Sequence, residues 1–270
     1  MLQLLRVAAL FASTAPAFAQ YTLTPQPSQP ANPGPSIPGV CWQDLTQAGA
    51  NQIAAGLNEL YIIDPGAASD AAQAIGATGP GNPNGDPGSV QVLEIQDVGL
   101  NSTEPVGGAA PAGEGAVGIN LDALDSALDV AITLVHELKH VEANDNGGPL
   151  PTSLDAIMAQ FPHLTDAEVL TVSTCNHAAV HAETALQFAY ACFPAMGCAE
   201  LGENCASFLE EYLAGQRYAS ECDKLASELP DTDPDVADAV LAAADKYSGV
   251  SVDDMRSMCN CCHFFDECNQ

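Results

Sequence analysis

Two histidines four residues apart, His136 and His140, enclose Glu137-Leu138-Lys139. On a helix such positions lie about 40° apart around the axis, so both imidazoles address one point and can chelate a single zinc ion. Glu137, about 100° from His136, is not placed to join them as a ligand, but it can reach a metal-bound water and act as its general base. Zinc lowers the pKa of bound water toward ~7 and polarises a carbonyl. With Glu137 carrying the proton from the water to the leaving amine, both halves of amide hydrolysis are covered.

This chemistry requires the segment to be a buried helix. Leu124, Leu128, Ile132, Val135 and Leu138 form one apolar stripe at helical spacing. The helix is expected to run from a cap at Asp122 or Asp125 to about Glu142, before the turn Asn144-Asp145-Asn146-Gly147-Gly148-Pro149. Residues 89–95 alternate apolar and polar, and 115–121 is a second strand candidate after a Gly/Ala-rich loop. Upstream, Leu45, Ala48, Ile53, Leu57 and Leu60 predict a helix from Cys41 to Ile63, stopped by Asp64-Pro65-Gly66. Downstream, alanine-rich segments predict helices at 152–160, 165 to about 192, 198 to about 229, and 235–247. The expected fold is α+β and mostly helical.

Ile119-Asn120-Leu121 followed by Ala131-Ile132-Thr133-Leu134-Val135-His136-Glu137-Leu138-Lys139-His140 resembles the zincin metallopeptidases over roughly residues 115–142. The resemblance implies an edge strand that binds extended peptide by β-addition, and a helix that supplies two zinc ligands and the catalytic glutamate. In the metzincin branch a third histidine follows the second by six residues. Position 146 is Asn, so the likeness is to the gluzincins. These take a glutamate from a later helix, which makes Glu183 the first choice for the third ligand. His177 and His181, four apart on the same expected helix, are the alternatives, either as ligands or as donors that orient one. His163 lies in an expected loop. Tyr190, Tyr212, Tyr218 and Tyr247 are all available to steady an oxyanion, and nothing in the sequence singles one out.

Residues 1–19 have the order of a secretory signal peptide, with Arg6, a short apolar core and Ala17-Phe18-Ala19 before the expected cut. A proline-rich leader follows at 20–40. The remaining organisation is a zincin-like catalytic domain at 41–195 and a Cys-rich helical region at 196–270, which can be integral to the same domain. No stretch is long and apolar enough to span a membrane. Export, outside the cell or into a periplasm, accords with 10 cysteines, an even number that reads as a disulfide framework. The net charge of −29 excludes a basic footprint for nucleic acid.

The glycine- and proline-rich stretch 76–88 lacks the spacing and backbone donors of a phosphate loop. Asp231-Thr232-Asp233-Pro234-Asp235 departs from a calcium loop at Val236 and Ala242 and reads as helix capping. The function expected is zinc-dependent hydrolysis of peptide bonds. A secreted, disulfide-rich zinc-binding or structural protein without catalytic turnover is the alternative.

Overall fold

In the computed structural model, residues 20–25, 40–97, 107–110, 115–145, 148–195, 201–248 and 250–254 are described. The expected signal peptide, most of the leader and the cysteine-dense tail lie outside them. The elements in chain order are β1 (Val40–Asp44), α1 (Gln47–Ile63), α2 (Pro65–Ile75), β2 (Gln91–Asp97), β3 (Gly108–Ala109), β4 (Ala116–Ile119), α3 (Ala127–Asp145), α4 (Leu154–Gln160), α5 (Asp166–Ala195), α6 (Leu201–Glu228) and α7 (Pro234–Ser248). The fold is α+β and mostly helical. Its one mixed sheet has the order β1-β2-β4-β3, in which only β2 and β4 run parallel.

The sheet and α1 hold α3 in place from two sides. Ile53, Leu57 and Leu60 of α1, Val92 and Ile119 of the sheet, and Leu128 and Leu134 of α3 belong to one buried cluster. Burying each such side chain stabilises the fold by about 1.5–3 kcal/mol. Phe188 of α5 and Phe208 of α6 stack with ring centroids 5.9 Å apart and extend the same cluster, so the helical C-terminal half shares its core with the sheet half. A second cluster, which includes Ile157, Val169, Val172 and Val236, lies among α4, α5 and α7.

Several boundaries differ from expectation for identifiable reasons. Val40–Asp44 pairs with β2 as a strand, and the helix starts only after Thr46, whose hydroxyl accepts from the Gly49 amide. Pro65 starts a helix rather than ending the local order. Its missing amide is harmless at the first helical position, and Asp64 closes α1 and caps α2, accepting from the Ala67 amide. The cap of α3 is neither Asp122 nor Asp125. Ser126 and Asp129 bond each other's backbone amides in a reciprocal capping box. The start of the leader is also anchored. Tyr21 and Leu23 are buried, the Tyr21 amide donates to Asn58, and Thr22 bridges Thr78.

Of the cysteines, Cys175 and Cys222 form a disulfide between α5 and α6, 47 residues apart in sequence, and Cys41 is free and exposed. Closing a loop of that length removes enough unfolded-chain entropy to stabilise by about 4 kcal/mol. We expect Cys175→Ala/Cys222→Ala to lose most of that amount in a denaturant titration followed by circular dichroism. A shift below about 1 kcal/mol would mean that helix packing alone fixes α5 against α6.

Candidate functional site

All three candidate positions on α3 face inward. His136, Glu137 and His140 are each 6 % exposed. From α5 come His177 and His181, and from α6 come Glu211 and Tyr218. The His136 ring lies 4.5 Å from that of His140 and 4.3 Å from that of His181, and the rings of His140 and His177 are 5.0 Å apart. Tyr218 stacks on both α5 imidazoles, at 5.3 Å from His177 and 5.2 Å from His181, nearly parallel to each. Positions four apart on two facing helices thus bring four imidazoles together.

The hydrogen bonds set the tautomers of these rings. His177 Nδ1 lies 2.8 Å from the Ser173 carbonyl, an acceptor only, so Nδ1 carries the hydrogen and Nε2 the lone pair. His181 Nδ1 likewise donates to Glu211 Oε1 at 2.8 Å. The same oxygen lies 2.7 Å from His136 Nδ1, in ion-pair contact but too oblique for a well-directed hydrogen bond. His140 Nδ1 meets Thr152 Oγ1 at 2.9 Å. Thr152 is held in turn, since its amide donates to Asn144 and its carbonyl accepts from Ser173 Oγ. The loop between α3 and α4 is thereby tied to both helices that carry histidines.

The electrostatics follow from burial. Desolvation pushes the Glu137 carboxyl up to about 7, with His136 opposing the shift and Glu211 adding to it. Burial and the neighbouring imidazoles hold His140 well below the usual histidine value, and burial takes His177 down to about 4. For Glu211 burial works toward the neutral acid, but His136 and His181 outweigh it and keep the carboxylate ionised. His136 is desolvated too, yet Glu211 raises its pKa overall.

Two imidazoles meet at Nε2. His136 Nε2 and His140 Nε2 are 2.8 Å apart. Lone pairs directed at each other over that distance repel unless a proton or a metal cation lies between them. His136, His181 and Glu211 also offer ligand atoms within 4.8 Å of one another. The donor set fits a transition-metal ion: His140, His177 and His181 are bonded at Nδ1 and held below the usual histidine value by burial, and a neutral imidazole bonded at Nδ1 presents Nε2, the form in which histidine ligates.

Glu183 is placed elsewhere. It is two residues from His181, about 200° around the helix, so one face of α5 cannot offer both. Its carboxylate pairs with Lys246 Nζ, half-exposed. The carboxylate beside the histidines is Glu211, which sequence reasoning missed. The available signal was the i, i+4, i+7 series Glu211, Gly215, Tyr218 on α6. At Gly215 an added Cβ would stand 2.6 Å from His181 Cβ, so a glycine there lets α6 approach α5 at the site. Tyr218, one of four candidates, is the tyrosine stacked on the histidines. His163 lies apart, 3.1 Å from Asp235 and 3.6 Å from Asp233 in an exposed group, and Asp233 also accepts from the Asp235 amide at the start of α7.

The edge strand differs from expectation as well. β4, which leads into α3, lies inside the sheet, and the edge on its side is the two-residue β3. β3 passes directly over Glu137, and a Cβ at Gly108 would stand 2.6 Å from Glu137 Oε1 and 2.7 Å from Thr133 Cγ2. Gly108→Ala is expected to displace the Glu137 side chain while sparing the histidines. We predict metal content equal to wild type and turnover reduced about 10–100-fold, as about 1.4–2.7 kcal/mol of misplaced base implies. Unchanged turnover would show that the base has room to adjust. A cavity of about 840 Å³ opens between α3 and α6, with Leu124, Asp125, Ile132, Glu211 and Arg217 in its wall. Of the residues gathered at the histidines, Glu211 lines this cavity.

Compared with protein-family models, curated proteins and solved structures, the chain matches none of them. The residues that the fold gathers around His136 and His140 therefore carry the functional argument.

Proposed function

We propose that the protein is an exported zinc-dependent hydrolase that cleaves peptide bonds, with zinc held by His136, His140 and a further ligand from α5 or α6, and Glu137 as general base. One observation carries this reading: four imidazoles and the carboxyls of Glu137 and Glu211 gather inside a domain where apolar side chains would be more stable. Burying that many ionisable groups is unfavourable unless they are paired or hold an ion, and such breaches of core packing belong to functional sites. The zinc would polarise the scissile carbonyl and acidify a water. Glu137 would accept the water's proton at its buried carboxylate, and β3 beside it would align an extended chain.

A fourth imidazole, His177, favours a second reading. An ion closed off by four protein ligands would be structural and would lack an open position for water. Metal analysis of the purified protein, together with cleavage of a mixed peptide library, separates the two. One zinc per chain with cleavage supports the hydrolase, one zinc without cleavage supports the structural ion, and no bound metal overturns both.

A further inference from the structure

Residues 20–24, directly after the expected signal-peptide cut, are docked on the body of the protein. Exposure alternates along them: Gln20, Thr22 and Thr24 are exposed, whereas Tyr21 and Leu23 are buried, the period of a strand with one covered face. Thr22 and Thr78 exchange both backbone hydrogen bonds, at 2.9 and 2.8 Å, and the Tyr21 amide donates to Asn58 Oδ1 of α1 at 2.8 Å. The Tyr21 ring stands edge-on to Tyr61, with centroids 5.9 Å apart, and rests on Gly79, where an added Cβ would come within 2.3 Å of it. The glycine- and proline-rich stretch 76–88 is thus the seat of this strap. Asn82 is buried within the stretch and holds it closed, donating to the Asp86 carbonyl and accepting from the Asp86 amide.

Resting on the reading that the chain is exported through a cut after Ala19, we infer that residues 20–24 are not removed as a propeptide. The mature protein begins at Gln20, keeps the strap as part of its core, and carries Gln20 as pyroglutamate. A removable segment leaves a remainder that is complete without it. Here Tyr21 and Leu23 belong to the same buried cluster as Leu128 and Leu134 of α3, and their loss would open that cluster and leave a gap over Gly79. A cut after Ala19 instead leaves every one of these anchors in place, with the exposed Gln20 as the new terminus. A terminal glutamine closes on itself. The α-amine nitrogen bonds to Cδ of its own side chain, the Cδ–Nε2 bond breaks, and ammonia leaves with a proton from the amine, so nothing is oxidised or reduced and no co-reactant is needed. The lactam has no free amine, which keeps an exopeptidase from stripping Gln20 and then Tyr21, the first anchor of the strap.

The test uses the full chain exported from its own signal sequence, purified and digested for mass spectrometry. The N-terminal peptide is expected to start at residue 20 and to be lighter than its glutamine form by one ammonia. Hydrogen exchange on the same protein should find the Tyr21 and Thr22 amides slowed about 100-fold or more relative to a free chain, because they exchange only when the strap opens. Tyr21→Ala should lower the unfolding temperature by about 10 °C, since truncating a buried aromatic side chain leaves a cavity. A mature chain that begins at or beyond residue 25 overturns the proposal, as do strap amides that exchange like a free chain. An unmodified Gln20 terminus overturns the lactam. The wild-type protein answers even if Tyr21→Ala does not fold. A purified chain that still carries residues 1–19 rejects the underlying export reading instead, and with it the mature terminus.

Discussion

Glu137→Gln is expected to abolish peptide cleavage while leaving the metal in place. The amide has the shape of the carboxylate but cannot take a proton from water at neutral pH, so the loss should reach about 10²–10⁴-fold, the usual contribution of a positioned base. The fold has little reason to object. Glu137 is 6 % exposed, its carboxyl is already driven toward the neutral form by desolvation, and an amide of the same size fills the same space beneath Gly108. Three measurements on one sample decide the matter: zinc per chain, thermal unfolding and cleavage rate. Intact zinc and an unchanged unfolding temperature with cleavage gone would assign the proton transfer to Glu137. Cleavage within a few-fold of wild type would mean that another group takes the proton.

How much of this site can be read from the sequence depends on the distance over which its parts communicate. His136, Glu137 and His140 are legible because one helix places them, and a helix's geometry is the same wherever it occurs. The apolar stripe of α3 is legible for the same reason, and its burial against α1 and β4 follows from it. Glu211 is not legible. It lies 71 residues beyond His140 and beside Glu210, in a chain with 35 acidic residues, and only the packing of α6 on α5 selects it. Glu183 and the histidines of α5 differ in phase, since a helix that turns His177 and His181 toward His136 and His140 turns Glu183 toward Lys246. β3 escaped notice because two residues inside a glycine- and alanine-rich loop carry no period at all, although they form the edge nearest the base. The double use of Asp64 is a boundary error of a different kind. Proline after a helix reads as a stop unless the residue before it can also cap the next one.

His140→Ala should have the larger effect, because it removes metal and activity together. The imidazole of His140 meets His136 Nε2 at 2.8 Å on one side and Thr152 on the other, so its loss takes away a donor and one of several bonds that hold the loop between α3 and α4. Removing a group that only orients a ligand weakens metal binding about 10–100-fold, and removing a ligand must exceed this. We therefore expect zinc per chain to fall to background after dialysis and cleavage to become undetectable. Stability should also lose its dependence on zinc. An ion that binds only the folded state stabilises it by about 4 kcal/mol at a free concentration 1,000 times its dissociation constant, so added zinc should raise the unfolding temperature of wild type by several degrees and leave His140→Ala unmoved. His163→Ala serves as the control, because His163 lies in the exposed group near α7, outside the four-histidine cluster. If zinc still raised the unfolding temperature of His140→Ala as it does wild type, while His163→Ala did not respond, the ion would belong near Asp233 and Asp235. The histidines of α3 would then be a buried polar cluster without a metal.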